Sequence, residues 1–179
     1  RLRVGDYAEG AEDFERALQI RQKTSGSDNP LTAIALRKRG KARRYLGGKI
    51  GASKNDFEAA IRVFIKAYGE DNRETIKTMS ELAELLLNLP GELDAAEDYS
   101  RRAHVSATKL FEDTDPDHVV LQETQATLGR VLSARGRHDE AFALLGRFEN
   151  AAGDRESHRA SLLLAKARSA PRAEGFRGL

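Results

Sequence analysis

The stretch Gly91-Glu92-Leu93-Asp94-Ala95-Ala96, with Tyr99 beyond it, recurs in altered form along the whole chain, and this recurrence limits the fold more than any other feature. A glycine turn opens each copy, at Gly5, Gly48, Gly91 and Gly136. Five positions later stands a small residue (Gly10, Ser53, Ala96, Ala141), and three or four beyond that a bulky one (Phe14, Phe57, Tyr99, Leu145). Starts 43, 43 and 45 residues apart are the signature of a solenoid, in which each unit buries its apolar face only against its neighbours.

The segments between these turns read as helices. Apolar residues recur at helical spacing over about Asp6 to Lys23, Leu31 to Leu46, Ala52 to Tyr68, Arg73 to Leu89, Leu93 to Glu112, Asp117 to Arg135 and His138 to Asn150. A last helix over 154–170, apolar on one face, closes the array, and the Gly-, Pro- and Arg-rich tail 171–179 is expected to be disordered. Gly26-Ser27-Asp28-Asn29 and Gly69-Glu70-Asp71-Asn72 are the same turn 43 residues apart, and Pro30 suits the first turn of a helix, where its missing N–H is not needed. No run of alternating β-branched residues appears, so the expected fold is an all-α solenoid of about eight helices over residues 1–170.

Most reaction chemistries find no support. With no cysteine, thiol catalysis, disulfides and thiolate metal sites are excluded. His104, His118, His138 and His158 never fall as a pair at metal-ligand spacing, and they read as surface or turn residues. Asp113, Asp115 and Asp117 imitate the start of a calcium loop, but His118 and Thr124 stand where such a loop needs Gly and Glu; helix capping is the simpler role. Gly47-Gly48-Lys49-Ile50-Gly51 lacks the Ser or Thr that a phosphate loop requires after its Lys. The expectation is therefore a chain that is not an enzyme and carries neither cofactor nor metal.

Apolar runs are too short to span a bilayer, so no membrane insertion is expected, and the assigned compartment is cytoplasmic. Because Arg1 lies inside what reads as the end of a helix (Leu2, Val4), the sequence is expected to be part of a longer chain or complex.

Leu128-Gly129, Leu132, Gly136, Ala141 and Leu145 follow the pattern of the tetratricopeptide repeat, and the Gly26 to Thr32 and Gly69 to Thr75 turns resemble those of its long form of roughly 42 residues, found in kinesin light chain and nephrocystin-like proteins. Phe148 departs from the small residue that ends the pattern. The resemblance covers about Gly5 to Ala170. It implies a right-handed superhelix of antiparallel helix pairs, in which the first helix of each pair lines a concave surface that binds protein partners.

One helix stands out against that frame. Six cations fall within the eight positions Arg37 to Arg44 with no acid among them, so they are expected to repel one another until something anionic arrives. Arg37, Lys41 and Arg44 share one helical face. By the resemblance that face lines the groove, together with Lys77 and Ser80 from the next first helix and Glu123, Arg130 and Ser133 from the one after; Lys38, Arg39 and Arg43 point elsewhere. The candidate partner-binding residues are therefore Arg37, Lys41, Arg44, Lys77, Ser80 and Arg130, and the expected partner is a protein or peptide with an acidic segment. The competing reading of these charges is a solvated face whose aliphatic stems cover apolar neighbours. Three further readings stay open: a nucleic-acid or phosphate-binding surface on the basic helix, disfavoured by a net charge of only +2 and by Tyr45 as the sole nearby aromatic; a docking or regulatory segment of a larger enzyme or receptor; and self-association through apolar surface at Ala11, Phe14 and Leu18.

Overall fold

The computed structural model describes residues 4–46, 50–115 and 118–146, and over these the chain forms helices joined by short turns, with no strand among the described residues. In chain order they are α1 (Val4–Ser25), α2 (Pro30–Tyr45), α3 (Ile50–Tyr68), α4 (Arg73–Leu86), α5 (Leu93–Phe111), α6 (Val119–Ala134) and α7 (His138–Gly146). Each helix packs against the next, and α4 also touches both α2 and α6. The even-numbered helices thus form one layer and the odd-numbered helices another. The eighth helix expected over 154–170, the tail 171–179, Phe148 and the last residues assigned to the seventh helix lie outside the described residues.

The turns are built as the repeated letters suggest. Gly26 and Gly69 both have φ of 83°, in the left-handed region where a side chain would be strained. Three residues after each, an asparagine caps the following helix: the Asn29 side chain accepts from the Leu31 N–H and the Asn72 side chain from the Glu74 N–H, both at 2.9 Å. Thr32 and Thr75 then donate back to the carbonyls of Gly26 and Gly69, both at 2.8 Å, closing each turn on itself.

The third turn of this kind is built differently. Capping was expected of Asp113, Asp115 and Asp117, but the residue that caps α6 is His118, whose Nδ1 accepts from the Val120 N–H at 3.2 Å. Its ring stacks on Phe111, centroids 3.7 Å apart, which fixes the imidazole over the end of α5.

Between the layers lies an apolar core. Phe57, Ile76, Met79, Leu82, Leu86 and Val131 form its larger part, and Leu18, Ala33, Leu36 and Phe64 a second part nearer the start of the chain. Leu18, expected to be exposed, is only 3% exposed because α2 and α3 cover it; Ala11 and Phe14 are half-buried. Small residues set how closely the paired helices approach. Gly40 on α2 faces Ser53 on α3, whose hydroxyl donates to the Gly40 carbonyl at 2.6 Å. A methyl group on Gly40 would lie 3.2 Å from the Asp56 Cβ. Gly129 on α6 faces Leu145 in the same way, with 2.9 Å to the nearest leucine methyl.

Helix α2 has little apolar surface after Leu36, and charge does much of the remaining work. Arg39 clasps the Asp56 carboxylate through two of its nitrogens, at 3.0 and 2.5 Å, and Arg43 reaches the same carboxylate at 2.8 Å. Both guanidiniums also bond Glu15 of α1, at 2.6 and 3.1 Å. Two cations and two carboxylates thus tie α1, α2 and α3 together, and Asp56 has only 5% of its side chain exposed. Burial disfavours the charge on Arg39, yet the bonds and field of Asp56 and Glu15 raise its pKa above the ordinary value.

Candidate functional site

The layer of even-numbered helices carries a cavity of about 540 Å³, lined by residues of α2, α4 and α6. Its floor is made of small side chains: Ser80, Ala126 and Thr127. The Ser80 hydroxyl donates to Thr127 at 3.1 Å, and Thr127 donates to the Glu123 carbonyl at 2.9 Å, so the floor is held by hydrogen bonds as well as packing.

Five of the six candidate residues, Arg37, Lys41, Lys77, Ser80 and Arg130, line this cavity. The sixth, Arg44, lines an adjoining cavity of about 330 Å³ that shares Glu84 and Arg130 with the first. Glu123 lines the larger cavity as well; Ser133 does not. Lys38, expected to point elsewhere, is a lining residue, whereas Arg39 and Arg43 do turn away into the Asp56 cluster.

The electrostatics differ from the expectation. The cations of α2 do not stand unopposed, because α4 supplies a row of acids against them. Arg37 bonds Glu74 at 2.7 Å and pairs with Glu81 at 3.6 Å; Lys41 pairs with Glu81 at 3.3 Å; Arg44 pairs with Glu84 at 3.0 Å. From the other side Arg130 of α6 also bonds Glu84. Burial by itself would push the Glu84 carboxyl upward, but Arg130 and Arg44 outweigh it and hold the group below the usual carboxylate value. Burial likewise opposes the charge of Arg44, while its bonds to Glu84 and Tyr45 raise its pKa.

Sequence reading missed Glu74, Glu81 and Glu84. They lie 37 to 44 residues beyond their partners on α2, about one repeat. The period itself is the signal that would find them: opposite charges about one repeat apart fall on neighbouring helices of the same layer.

Three charged side chains of the cavity wall keep no ion-pair partner among the described residues: Lys38 on α2, Lys77 on α4 and Glu123 on α6. Arg37 adds an unsatisfied donor. Its side chain is only 10% exposed, and its Nε has no hydrogen-bond partner. Each such buried donor is costly until a ligand or water accepts from it.

Comparison with known proteins agrees with this geometry. The tetratricopeptide repeat family model matches residues 1–54. No curated protein matches the chain in sequence. Among solved structures, the nearly identical TPR-like repeats of a Podosopora anserina kinesin light chain superpose with a TM-score of 0.79 at 20% identity, covering 94% of this chain and 81% of that one; a singly substituted form of the same protein gives 0.80 over the same shares. BtubC (BKLC) from P. vanneervenii superposes with a TM-score of 0.72, also at 20% identity, over 98% of this chain and 63% of that one. Turn chemistry, helix order and these likenesses agree on the fold: an all-helical solenoid of the kind seen in kinesin-light-chain-type TPR-like repeats, and the chain's first 54 residues also match the tetratricopeptide repeat family model.

Proposed function

We propose that the chain is a non-enzymatic protein-interaction module that holds an extended segment of a partner protein in the groove formed by α2, α4 and α6. Tetratricopeptide repeats generally mediate protein–protein interaction, and the observation that carries the finer reading is the cavity of about 540 Å³ shared by all three helices over a floor of small side chains. Arg37, Lys41, Arg44, Lys77, Ser80 and Arg130 remain the residues proposed to meet the partner.

The pairing of Arg37, Lys41 and Arg44 with acids of α4 changes the partner's expected chemistry. A purely acidic segment would have to compete with carboxylates already in place, each bond to a charged group being worth roughly 1.5–3 kcal/mol. The same pairing weakens the nucleic-acid reading, because a polyphosphate needs free cations to replace its counterions.

The test is a selection from a displayed library of random peptides, repeated on Ala126→Arg, which fills the cavity from its floor. Peptides selected on the unaltered protein should bind Ala126→Arg at least about tenfold more weakly, while circular dichroism and the urea midpoint show the variant still folded. Equal binding to both proteins would move the site off this groove.

A further inference from the structure

Resting on that groove reading, we infer that the groove is polar along its length: it selects segments that carry acidic residues toward one end and a basic residue toward the other, in a fixed order. The charges that a ligand meets without first displacing an internal partner are those the fold leaves unpaired. Among the described residues, crossing the even-numbered layer from α2 to α6, these are Lys38, then Lys77, then Glu123, so the available charge changes sign between α4 and α6. The other charged walls of the cavity, among them Lys41, Glu81, Glu84 and Arg130, already face an opposite charge within the fold.

At the α2 end an incoming carboxylate meets two unpaired lysines. At the α6 end it meets the Glu123 carboxylate instead, and like-charge contacts across an interface are costly. A ligand acidic throughout gains at one end and loses at the other; one with a basic residue over Glu123 gains at both.

Geometry adds a spacing. Neighbouring packed helices stand about 8–10 Å apart, and an extended chain advances about 3.3 Å per residue. A segment crossing the layer therefore moves about three residues per helix. Acidic residues facing α2 and α4 and a basic residue facing α6 should follow one another at about that interval.

The peptides recovered in the selection described above supply the test. For a recovered peptide that depends on the groove, its acidic and basic residues are exchanged and binding is measured by fluorescence anisotropy. The exchange should weaken binding to the unaltered protein about tenfold or more. It should tighten binding to Lys38→Glu/Lys77→Glu/Glu123→Lys, in which the order of free charge is reversed. On Lys38→Gln/Lys77→Gln/Glu123→Gln, where none of these three charges remains and no like charges are brought together, both peptides should bind within about twofold of each other. This neutral variant carries the test if the reversed one fails to fold.

Recovered peptides without opposite charges, or an exchange that leaves binding to the unaltered protein unchanged, would overturn the inference while leaving the groove as a binding site. Failure to recover any peptide sensitive to Ala126→Arg would overturn both.

Discussion

The two faces of helix α2 carry the same residue types and use them differently. On the face toward α1 and α3, Arg39 and Arg43 close on Asp56 and Glu15, with Arg39 only 12% and Asp56 only 5% exposed. On the face toward the groove, Lys41 is 47% exposed and Arg44 is 22% exposed, and their acids come from α4, in the next repeat. The inner face is neutralised from within the fold, whereas the groove face keeps Lys38 without an ion-pair partner among the described residues. The inner network is shielded from water at Arg39 and Asp56, while Glu15 stays 39% exposed at its edge. The groove network is open on one side, where water and a ligand can compete for the same groups. What separates structure from recognition here is access to solvent rather than composition.

The comparison is broken most directly at Asp56. Asp56→Ala leaves two guanidiniums facing one carboxylate in a buried setting and should cost about 3–5 kcal/mol, read as a lower urea midpoint at unchanged slope. A loss below about 1 kcal/mol would mean that the inner network is as exchangeable as the outer one.

Glu84→Gln should come next. It removes the carboxylate between Arg44 and Arg130, and because that side chain is 30% exposed its effect is discounted to about 1 kcal/mol. The sign of its pH dependence follows from the depressed pKa. The contribution of Glu84 is present above the ordinary value of 4.5 and is lost as pH falls through the lower value of the folded state. Unfolding followed by urea from about pH 6 to pH 3 should therefore show the unaltered chain losing more stability than Glu84→Gln. Parallel curves would mean that Glu84 contributes no pH-dependent stability there.

Lys41→Ala should be the mildest, under about 0.5 kcal/mol, since it removes one exposed pair to Glu81. A cost equal to that of Glu84→Gln would erase the graded order from inner to outer face.

How far all this was legible in the letters depends on sequence distance. Gly26, Asn29, Gly69 and Asn72 announce their turns because glycine at positive φ and asparagine at a cap are local requirements, met within a few residues. The solenoid followed from their spacing. The third turn misled because the start of α6 falls three residues later than the repeat would place it, so that histidine takes the capping position. Five of the candidate groove residues line one cavity and Arg44 an adjoining one, yet their charge state was not legible from α2 alone. Arg37 and Arg44 are answered by Glu74 and Glu84 from another repeat, and a window of one helix contains no sign of them. Lys38 was misplaced for a related reason: it lies at the edge of the helical face, and only the position of α4 decides whether that edge belongs to the groove.

The close approach of α2 to α3 has a consequence for cutting and joining such arrays. At the place where α2 has Gly40, α4 has the fully buried Ala83. The methyl group that the second position accepts would press, at the first, on the Asp56 side chain and the Ser53 carbonyl, at 3.2 and 3.3 Å. A helix moved alone from one register to another would therefore arrive with a shape fitted to a different neighbour. The transferable unit is the pair, α2 with α3 or α4 with α5, severed at the asparagine-capped turns and never at the turn within a pair. The chain repeats its letters more freely than its joints, and a designer extending or shortening the array would copy the joint first.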